Sequence, residues 1–353
     1  MNSEKPQDIQ QDVRARRAPA PAITLADVQE AGRCIAGHVR RTMLVESAWL
    51  SSAAGAEVRL KLESLQVTGS FKARGAVNAL LALRKRAPAC GEPPLLVTAS
   101  AGNHGRALAW AAERLGLRVV VFTPRGAPRA KLDAIRRHGA DLRAEADTYD
   151  DAEHLAKEYA AAQGLVYLSP YSHPDLIAAI GTIATEVFED FPDVDTFIVP
   201  VGGGGLISGI AIAAREVAPG VRIVGVEAEA SHPFATSVRE GRITEVAVGP
   251  TIADGLAGNM DPETITFDIV REHVDELVQV SERDLVDGLR GLVAHEHLIA
   301  EGAGVAAVAA VLAGRVALKG RRAAVVVSGS NIDVETLTRL LALDIFQGRS
   351  RGD

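Results

Sequence analysis

The residues that could do chemistry in this chain fall in four short stretches. They are Thr68-Gly69-Ser70-Phe71-Lys72-Ala73-Arg74-Gly75, Ser100-Ala101-Gly102-Asn103-His104-Gly105, Gly202-Gly203-Gly204-Gly205-Leu206 and Ser328-Gly329-Ser330-Asn331. In the first, Lys72 follows Phe71 and a Gly-Ser turn, where a strand gives way to a helix. The positive end of the helix dipole disfavours an ammonium there, as does burial, and both push the amine pKa down. A lowered pKa is what an amine needs to form a Schiff base. Standing alone, Lys72 would read as a surface lysine opening a helix.

The glycine run Gly202 to Gly205 offers bare backbone amides at a helix start, where they and the dipole can hold a phosphate. No register of the run gives G-x-G-x-x-G, and Ile210 stands where a P-loop begun at Gly204 would need lysine. Phosphate without nucleotide suits a small phosphorylated cofactor; the alternative is glycine kept for close packing. Ser100 to Gly105 could form an anion nest for a substrate carboxylate, with Asn103 offering its amide, or could simply cap a helix. Ser328 ends an apolar strand with a hydroxyl. No G-x-S-x-G elbow surrounds it, so a hydrolase nucleophile is unsupported. His295-Glu296-His297 reads as a polar helix face and not a metal site, because residues two apart point to different sides of a helix. Asp254, in Thr251-Ile252-Ala253-Asp254-Gly255, is expected to tie loop backbone.

Alternating elements must position these stretches. Glu57-Val58-Arg59-Leu60-Lys61-Leu62 alternates apolar and polar as a half-buried strand does, and a helix is expected from Lys72 to about Arg86. Further strands are expected at Leu95–Ala99, Arg118–Phe122, Asp141–Ala144, Val166–Leu168, Thr196–Val201, Arg222–Val226, Glu276–Val280 and Ala323–Val327. Helices are expected at Thr24–His38, Arg106–Leu115, Ala130–His138, Asp150–Gln163, Pro174–Glu189, Gly205–Val217, Glu282–Leu298, Gly304–Leu312 and Asp333–Leu343. The segment from Val226 to about Pro262 reads as irregular. Strands alternating with helices imply parallel sheets covered on both faces, with ligands bound where strand carboxyl ends meet helix amino ends. All four stretches occupy that position.

Composition sets the frame. The 353 residues suffice for one large or two medium domains. A net charge of −7 argues against nucleic acid or an anionic membrane as partner, and no apolar run reaches the length of a membrane span. Cys34 and Cys90 make neither a disulfide framework nor a zinc site, so a reducing cytoplasm is the default. Residues 1–21 and 345–353 are expected to be solvated tails, and the terminal Arg351-Gly352-Asp353 a chance triplet.

Together, Lys61-Leu62-Glu63, Thr68 to Ala76, Ser100 to His104, Val201 to Leu206, Ala253-Asp254-Gly255 and Ser328 to Asn331 resemble the fold-type II pyridoxal-phosphate enzymes, the family of threonine dehydratase and serine racemase. The stretches come in the family's order across roughly 22–343. The resemblance implies an α/β fold of two open, twisted, mostly parallel sheets with helices on both faces. It assigns residues 22–86 and 174–344 to a large cofactor domain and 87–173 to a small one, and implies a homodimer. By the same resemblance Lys72 would hold pyridoxal phosphate through a Schiff base and later shuttle the Cα proton. Phe71 would pack on the ring, Asn103 would bond its phenolic oxygen, and Ser328 would meet the pyridine nitrogen. Gly202, Gly203, Gly204, Gly205 and Leu206 would hold the phosphate. Ser70, Ser100, Ala101, Gly102, Asn103 and His104 would frame the substrate, and Tyr171 would wall its side chain. No metal is expected: of the cation site of serine racemase only Glu227 is matched, with Pro233 in place of a second acid. Other departures from the family pattern are Ala179-Ile180-Gly181-Thr182, Glu301-Gly302-Ala303-Gly304 and Ser330.

The implied activity is an ammonia-lyase that converts a small β-hydroxy amino acid, threonine or serine first, to a 2-oxo acid and ammonia. The alternatives are a dehydratase of 3-hydroxyaspartate, phenylserine or a hydroxyectoine-derived amino acid, a serine or aspartate racemase, and a β-replacing synthase. A nucleotide-binding dehydrogenase or regulatory module is the reading from another class. Elimination is expected over racemisation. Serine racemase has a serine before Gly-Asn-His to serve the second face of the carbanion, and here that position is Ala101, with no proton to give.

Overall fold

The computed structural model describes residues 22–86 and 94–342. The expected tails, Cys90 and residues 87–93 of the expected small domain lie outside the described residues. Ten strands are described: β1 (Leu44–Glu46), β2 (Glu57–Leu62), β3 (Leu95–Ala99), β4 (Arg118–Pro124), β5 (Asp141–Ala146), β6 (Val166–Tyr167), β7 (Thr196–Pro200), β8 (Arg222–Ala228), β9 (Glu276–Val280) and β10 (Arg322–Val327). The helices up to residue 190 are α1 (Leu25–Ile35), α2 (Ala48–Ala54), α3 (Lys72–Arg86), α4 (Asn103–Leu115), α5 (Arg129–Arg136), α6 (Tyr149–Gln163) and α7 (Pro174–Asp190). Beyond it come α8 (Gly205–Val217), α9 (Pro233–Glu240), α10 (Thr266–His273), α11 (Glu282–Gly291), α12 (Gly302–Leu312) and α13 (Val334–Ala342).

The strands form two sheets, one of six in the order β1-β2-β10-β7-β8-β9 and one of four in the order β5-β4-β3-β6. Every pairing is parallel except β1 on β2. Parallel neighbours need crossover helices, and these cover both faces. On the six-stranded sheet, Val325 and Val327 of β10 face a core built with α11 and α12. Ala324 and Val326 face the opposite core, built with α7, α8 and α10. The four-stranded sheet divides in the same way, with Leu96, Val119 and Val121 against α3 and α4, and Val97, Val120 and Phe122 against α6. The α/β fold class expected from the sequence is the one observed.

Helix α12 is apolar all round and buried over most of its length, as a helix at the centre of a large core must be. No helix among the described residues is long and apolar enough to cross a membrane. Helices α7 and α8 meet at Gly181 and Gly209; a Cβ on Gly209 would stand 2.5 Å from the Ile177 carbonyl oxygen, so the backbones approach only because both residues lack one.

Four expectations need correction. The edge strand β1 and the short helix α2 have too few residues to show a period and were not expected. Helix α9 (Pro233–Glu240) lies inside the segment read as irregular, and α10 (Thr266–His273) follows it where no element was expected. Helix α4 begins at Asn103, not Arg106, and α12 at Gly302, not Gly304. The single helix expected over 282–298 is divided: after α11 a π-turn runs from Leu292 to Glu296, and His297 adopts a left-handed φ of 55°. Trp49 explains the break, since its indole packs on Gly291 and stacks on His295 at 4.9 Å. Glu296 accepts the Ser47 hydroxyl at 2.6 Å, so the His-Glu-His stretch is spent on packing.

Candidate active site

The four stretches meet along the carboxyl edges of β2, β3, β7 and β10, as the strand–loop–helix pattern requires. Lys72 is the first residue of α3 and Asn103 the first of α4. Gly204 precedes α8 with a φ of 83°, open to glycine at little strain. The loops after β2 and β10 are laced together: Phe71 N–H donates to the Ser328 carbonyl at 3.1 Å and Ser330 N–H to the Gly69 carbonyl at 2.8 Å. Asn331 joins the third loop, donating through Nδ2 to the Thr68 carbonyl at 3.0 Å and to Asn103 Oδ1 at 2.6 Å. Asn103 in turn donates to Glu301 Oε1 at 2.6 Å. One Nδ2–H of Asn103 remains uncommitted, the one that would serve a phenolic oxygen.

Residues 170 and 171 tie in the glycine loop. Lys72 Nζ donates to the Pro170 carbonyl at 2.7 Å, and Tyr171 lies against Gly203 so closely that a Cβ there would overlap the ring. A Cβ on Gly202 would come within 2.9 Å of the Gly255 carbonyl oxygen, one on Gly204 within 2.5 Å of Phe234 Cζ, and one on Gly205 within 2.8 Å of the Tyr171 carbonyl oxygen. Close packing therefore requires every glycine of the run. It leaves their N–H groups bare at the start of α8, where the first turn has no intrahelical acceptors. Leu206 is buried in the core beneath them.

Burial sets the electrostatics. It pushes the Lys72 amine down to about 8. Burial and the neighbouring Lys72 charge hold the His104 imidazole well below its usual range, and so neutral. Burial raises the Glu301 carboxyl to about 7, against the pull of Asn103. Among the described residues, Thr68 Oγ1, Ser70 Oγ and both nitrogens of His104 are buried with no hydrogen-bond partner. Such orphans are costly unless a bound molecule satisfies them. Ser100 is engaged within its own loop, its hydroxyl accepting the Gly102 N–H at 3.2 Å. Around Gly102 the space is open, which leaves room beside Ala101 for a ligand.

Behind Lys72 lies a feature not expected from the sequence: a buried cluster of two cations and two carboxylates. Arg74, on the first turn of α3, donates to Glu63 Oε2 at 2.9 Å and Oε1 at 2.8 Å. It also donates to Glu186 Oε1 at 2.6 Å and Oε2 at 2.9 Å, and to Thr182 Oγ1 at 3.1 Å. Every guanidinium N–H is thereby used. Lys61 adds a second cation, bonding Glu186 Oε2 at 2.5 Å and the Thr42 carbonyl at 2.8 Å. Lys61, Glu63 and Arg74 are at most 1% exposed. Such a cluster clamps the start of α3 to the end of β2 and to α7.

One expected residue takes another role. Asp254 does not tie loop backbone through its side chain: its carboxylate pairs with Lys131 of α5, across from the four-stranded sheet. Tyr171 braces the glycine loop, and its hydroxyl accepts the Asp261 N–H at 2.9 Å. Glu227 has both oxygens occupied, accepting the N–H groups of Phe234 and Ala235 at 2.9 and 2.8 Å, so it caps α9. No group of three or more metal-ligating side chains is present among the described residues. The site residues to which the sequence assigned no role are Glu301, Asn331, Arg106, Thr68 and the charged cluster. Only a carboxylate directly before an all-apolar helix hinted at one of them, Glu301.

The residues present fit a planar, phosphorylated aldehyde. A buried amine of lowered pKa, a cradle of bare amides at a helix start and a hydroxyl at Ser328 lie on loops that the contacts of Phe71, Lys72 and Tyr171 tie together. Known proteins agree. The chain is 41% identical to the L-threonine ammonia-lyase of Thermotoga maritima over 90% of this chain and 78% of that protein. It is 36% identical to the L-threonine dehydratase catabolic TdcB of Escherichia coli, over 90% of this chain and 96% of that one. Among solved structures, maize serine racemase superposes with a TM-score of 0.84 at 30% identity, over 90% of this chain and 96% of that one. The family model described as pyridoxal-phosphate dependent enzyme matches residues 35–329, and the chain belongs to that family, in its fold-type II branch with the threonine dehydratases and serine racemases.

Proposed function

We propose that this chain is a pyridoxal-phosphate-dependent ammonia-lyase that converts a small β-hydroxy amino acid, threonine or serine first, to a 2-oxo acid and ammonia. The observation that carries the reading is Lys72: a buried amine lowered to about 8, held at the Pro170 carbonyl 2.7 Å away, next to the Tyr171 that packs on the glycine cradle. Pyridoxal phosphate, when bound, supplies the conjugated system that stabilises negative charge at Cα. Lys72 would anchor it and, as a free amine, would take the Cα proton. The amides of Gly202 to Gly205 hold the phosphate, and the loop from Ser100 to His104 receives the substrate carboxylate. Neutral His104 adds no charge beside Lys72. Ser328 would meet the pyridine nitrogen with a hydroxyl, which could not protonate it as a carboxylate would; that suits elimination, where the departing β-oxygen carries the electrons away. Water leaves from Cα and Cβ, and the enamine takes up water to give the oxo acid and ammonia.

Racemisation is the second reading, favoured by the likeness to serine racemase, but Ala101 leaves the far face without an acid. The proposal also carries the domain limits 22–86 with 174–344 and 87–173, supported by a four-stranded sheet confined to residues 95–167. A homodimer and a cytoplasmic location belong to the same reading, to be checked by light scattering and cell fractionation. The deciding experiment is a keto-acid assay across threonine, serine, 3-hydroxyaspartate and phenylserine, with chiral chromatography of the mixture. Steady oxo-acid release with little D-enantiomer is expected; abundant D-product overturns the assignment.

A further inference from the structure

Arg106 stands one turn into α4, three residues after Asn103 and so on the same face of the helix. Helical side chains lean toward the amino end, which carries its guanidinium back over the first turn of α4, where the carboxylate nest lies. The contacts agree: Arg106 Nη1 donates to Asn331 Oδ1 at 2.5 Å, and Asn331 itself bonds Asn103 and the Thr68 carbonyl. The cation therefore sits where three of the four site loops meet, half-buried.

Its charge is not matched by an ion pair. Among the described residues no carboxylate lies within ion-pair reach of Arg106, and its one hydrogen-bonding side chain is a neutral amide. The charged groups that act on it are Glu301, which is buried and titrates near neutrality, and Arg137 at the end of α5, which repels it. Asp254, which acts on Glu301, is already taken by Lys131. A half-buried guanidinium with free N–H groups is costly to leave unpaired and matches a carboxylate in two-pronged fashion. The α-carboxylate already has a receptor in the nest, so Arg106 is surplus to a monocarboxylic substrate.

We propose that Arg106 recognises a second, side-chain carboxylate. β-Hydroxy amino acids with an acidic group on Cβ are then substrates of this site, and Arg106 sets how well they compete with threonine. The inference rests on the ammonia-lyase reading.

The test uses holoenzyme and two non-eliminating ligands, L-aspartate and L-alanine, whose dissociation constants are read from the cofactor absorbance. The kcat/KM values for 3-hydroxyaspartate and threonine are measured beside them. In the unaltered protein aspartate should bind at least roughly 10-fold tighter than alanine, as one charge-assisted pair allows. Arg106→Gln, which can still bond Asn331, should cut that ratio, and the ratio of the two kcat/KM values, by about 10-fold or more. Arg106→Lys, which keeps the charge without the fork, should retain part of both, and it carries the comparison should the glutamine variant not fold. Equal loss for aspartate and alanine would assign Arg106 to the α-carboxylate and overturn the proposal, as would ratios that do not move. Threonine turnover with Arg106-independent ratios sinks this inference alone; no oxo acid from any hydroxyamino acid sinks the ammonia-lyase reading instead.

Discussion

Arg74→Met removes one member of a neutral, buried set of four charges. Lys61 remains with Glu63 and Glu186, so two carboxylates face one ammonium in a region where Lys61 and Glu63 are fully buried. Breaking a buried ion pair by removing one partner costs about 3–5 kcal/mol, a large share of the roughly 5–15 kcal/mol that holds a protein folded. Charge bookkeeping supplies the control. Adding Glu63→Gln leaves Lys61 and Glu186 as a neutral pair, and the amide oxygen can still accept the Thr42 hydroxyl that bonds Glu63 at 2.5 Å. The double variant should therefore be more stable than Arg74→Met by at least ~1 kcal/mol. In the native protein burial raises the Glu63 carboxyl, but Arg74, Thr42 and Lys61 outweigh it and the net direction is down. Its stabilising contribution is thus present above the ordinary carboxylate pKa of about 4.3 and is lost as pH falls. Without Arg74 burial prevails, the carboxyl rises, and the penalty is relieved as pH falls toward about 4. The gap between native and variant should be smaller at pH 4 than at pH 7. Urea titration followed by the fluorescence of Trp49 and Trp110 measures all of these quantities. A loss below about 1 kcal/mol, or a double variant less stable than the single, would refute the assignment of Arg74 as the clamp on α3.

Three further outcomes are expected. Lys72→Ala should abolish turnover and remove the visible absorbance that borohydride bleaches; a retained reducible Schiff base would mean another lysine is the anchor. Gly203→Ala should push Tyr171 off the glycine loop at a cost of about 1–3 kcal/mol and raise the dissociation constant for pyridoxal phosphate at least several-fold. Gly203→Ala with Tyr171→Ala should restore part of that affinity, and an unchanged constant in the single variant would show that the loop does not hold the phosphate. Ala101→Ser should increase D-enantiomer formation measured by chiral chromatography, since it places a hydroxyl on the far face; no change would remove Ala101 from the account of reaction specificity.

The motifs were legible because each is a local arrangement. A strand, a glycine- or serine-rich turn and a helix start are contiguous in the chain, and period-2 and period-3.6 patterns mark their limits. Helix α3 begins at Lys72 and ends at Arg86, and α6 ends at Gln163, where the apolar spacing puts them. The chemistry follows from the same locality, since an amine at a helix amino end and amides at another are properties of a few neighbouring residues. Elements shorter than two helical turns, such as α2 and β1, carry too few residues for a period to show.

The sequence by itself determined the fold class and the strand–loop–helix placement of the four candidate stretches. The tertiary structure alone decided what surrounds them. Arg74 meets Glu186 across 112 residues, Arg106 meets Asn331 across 225, and Asn103 meets Glu301 across 198. In the sequence none of these pairings shows, because a polar or charged side chain looks the same whether it will face water or a buried partner. Which of the two it faces depends on the packing of sheets and helices far apart in the chain. That packing turned Asp254 toward Lys131, set Tyr171 against Gly203, and gave Arg106 the neutral amide of Asn331 as its partner among the described residues.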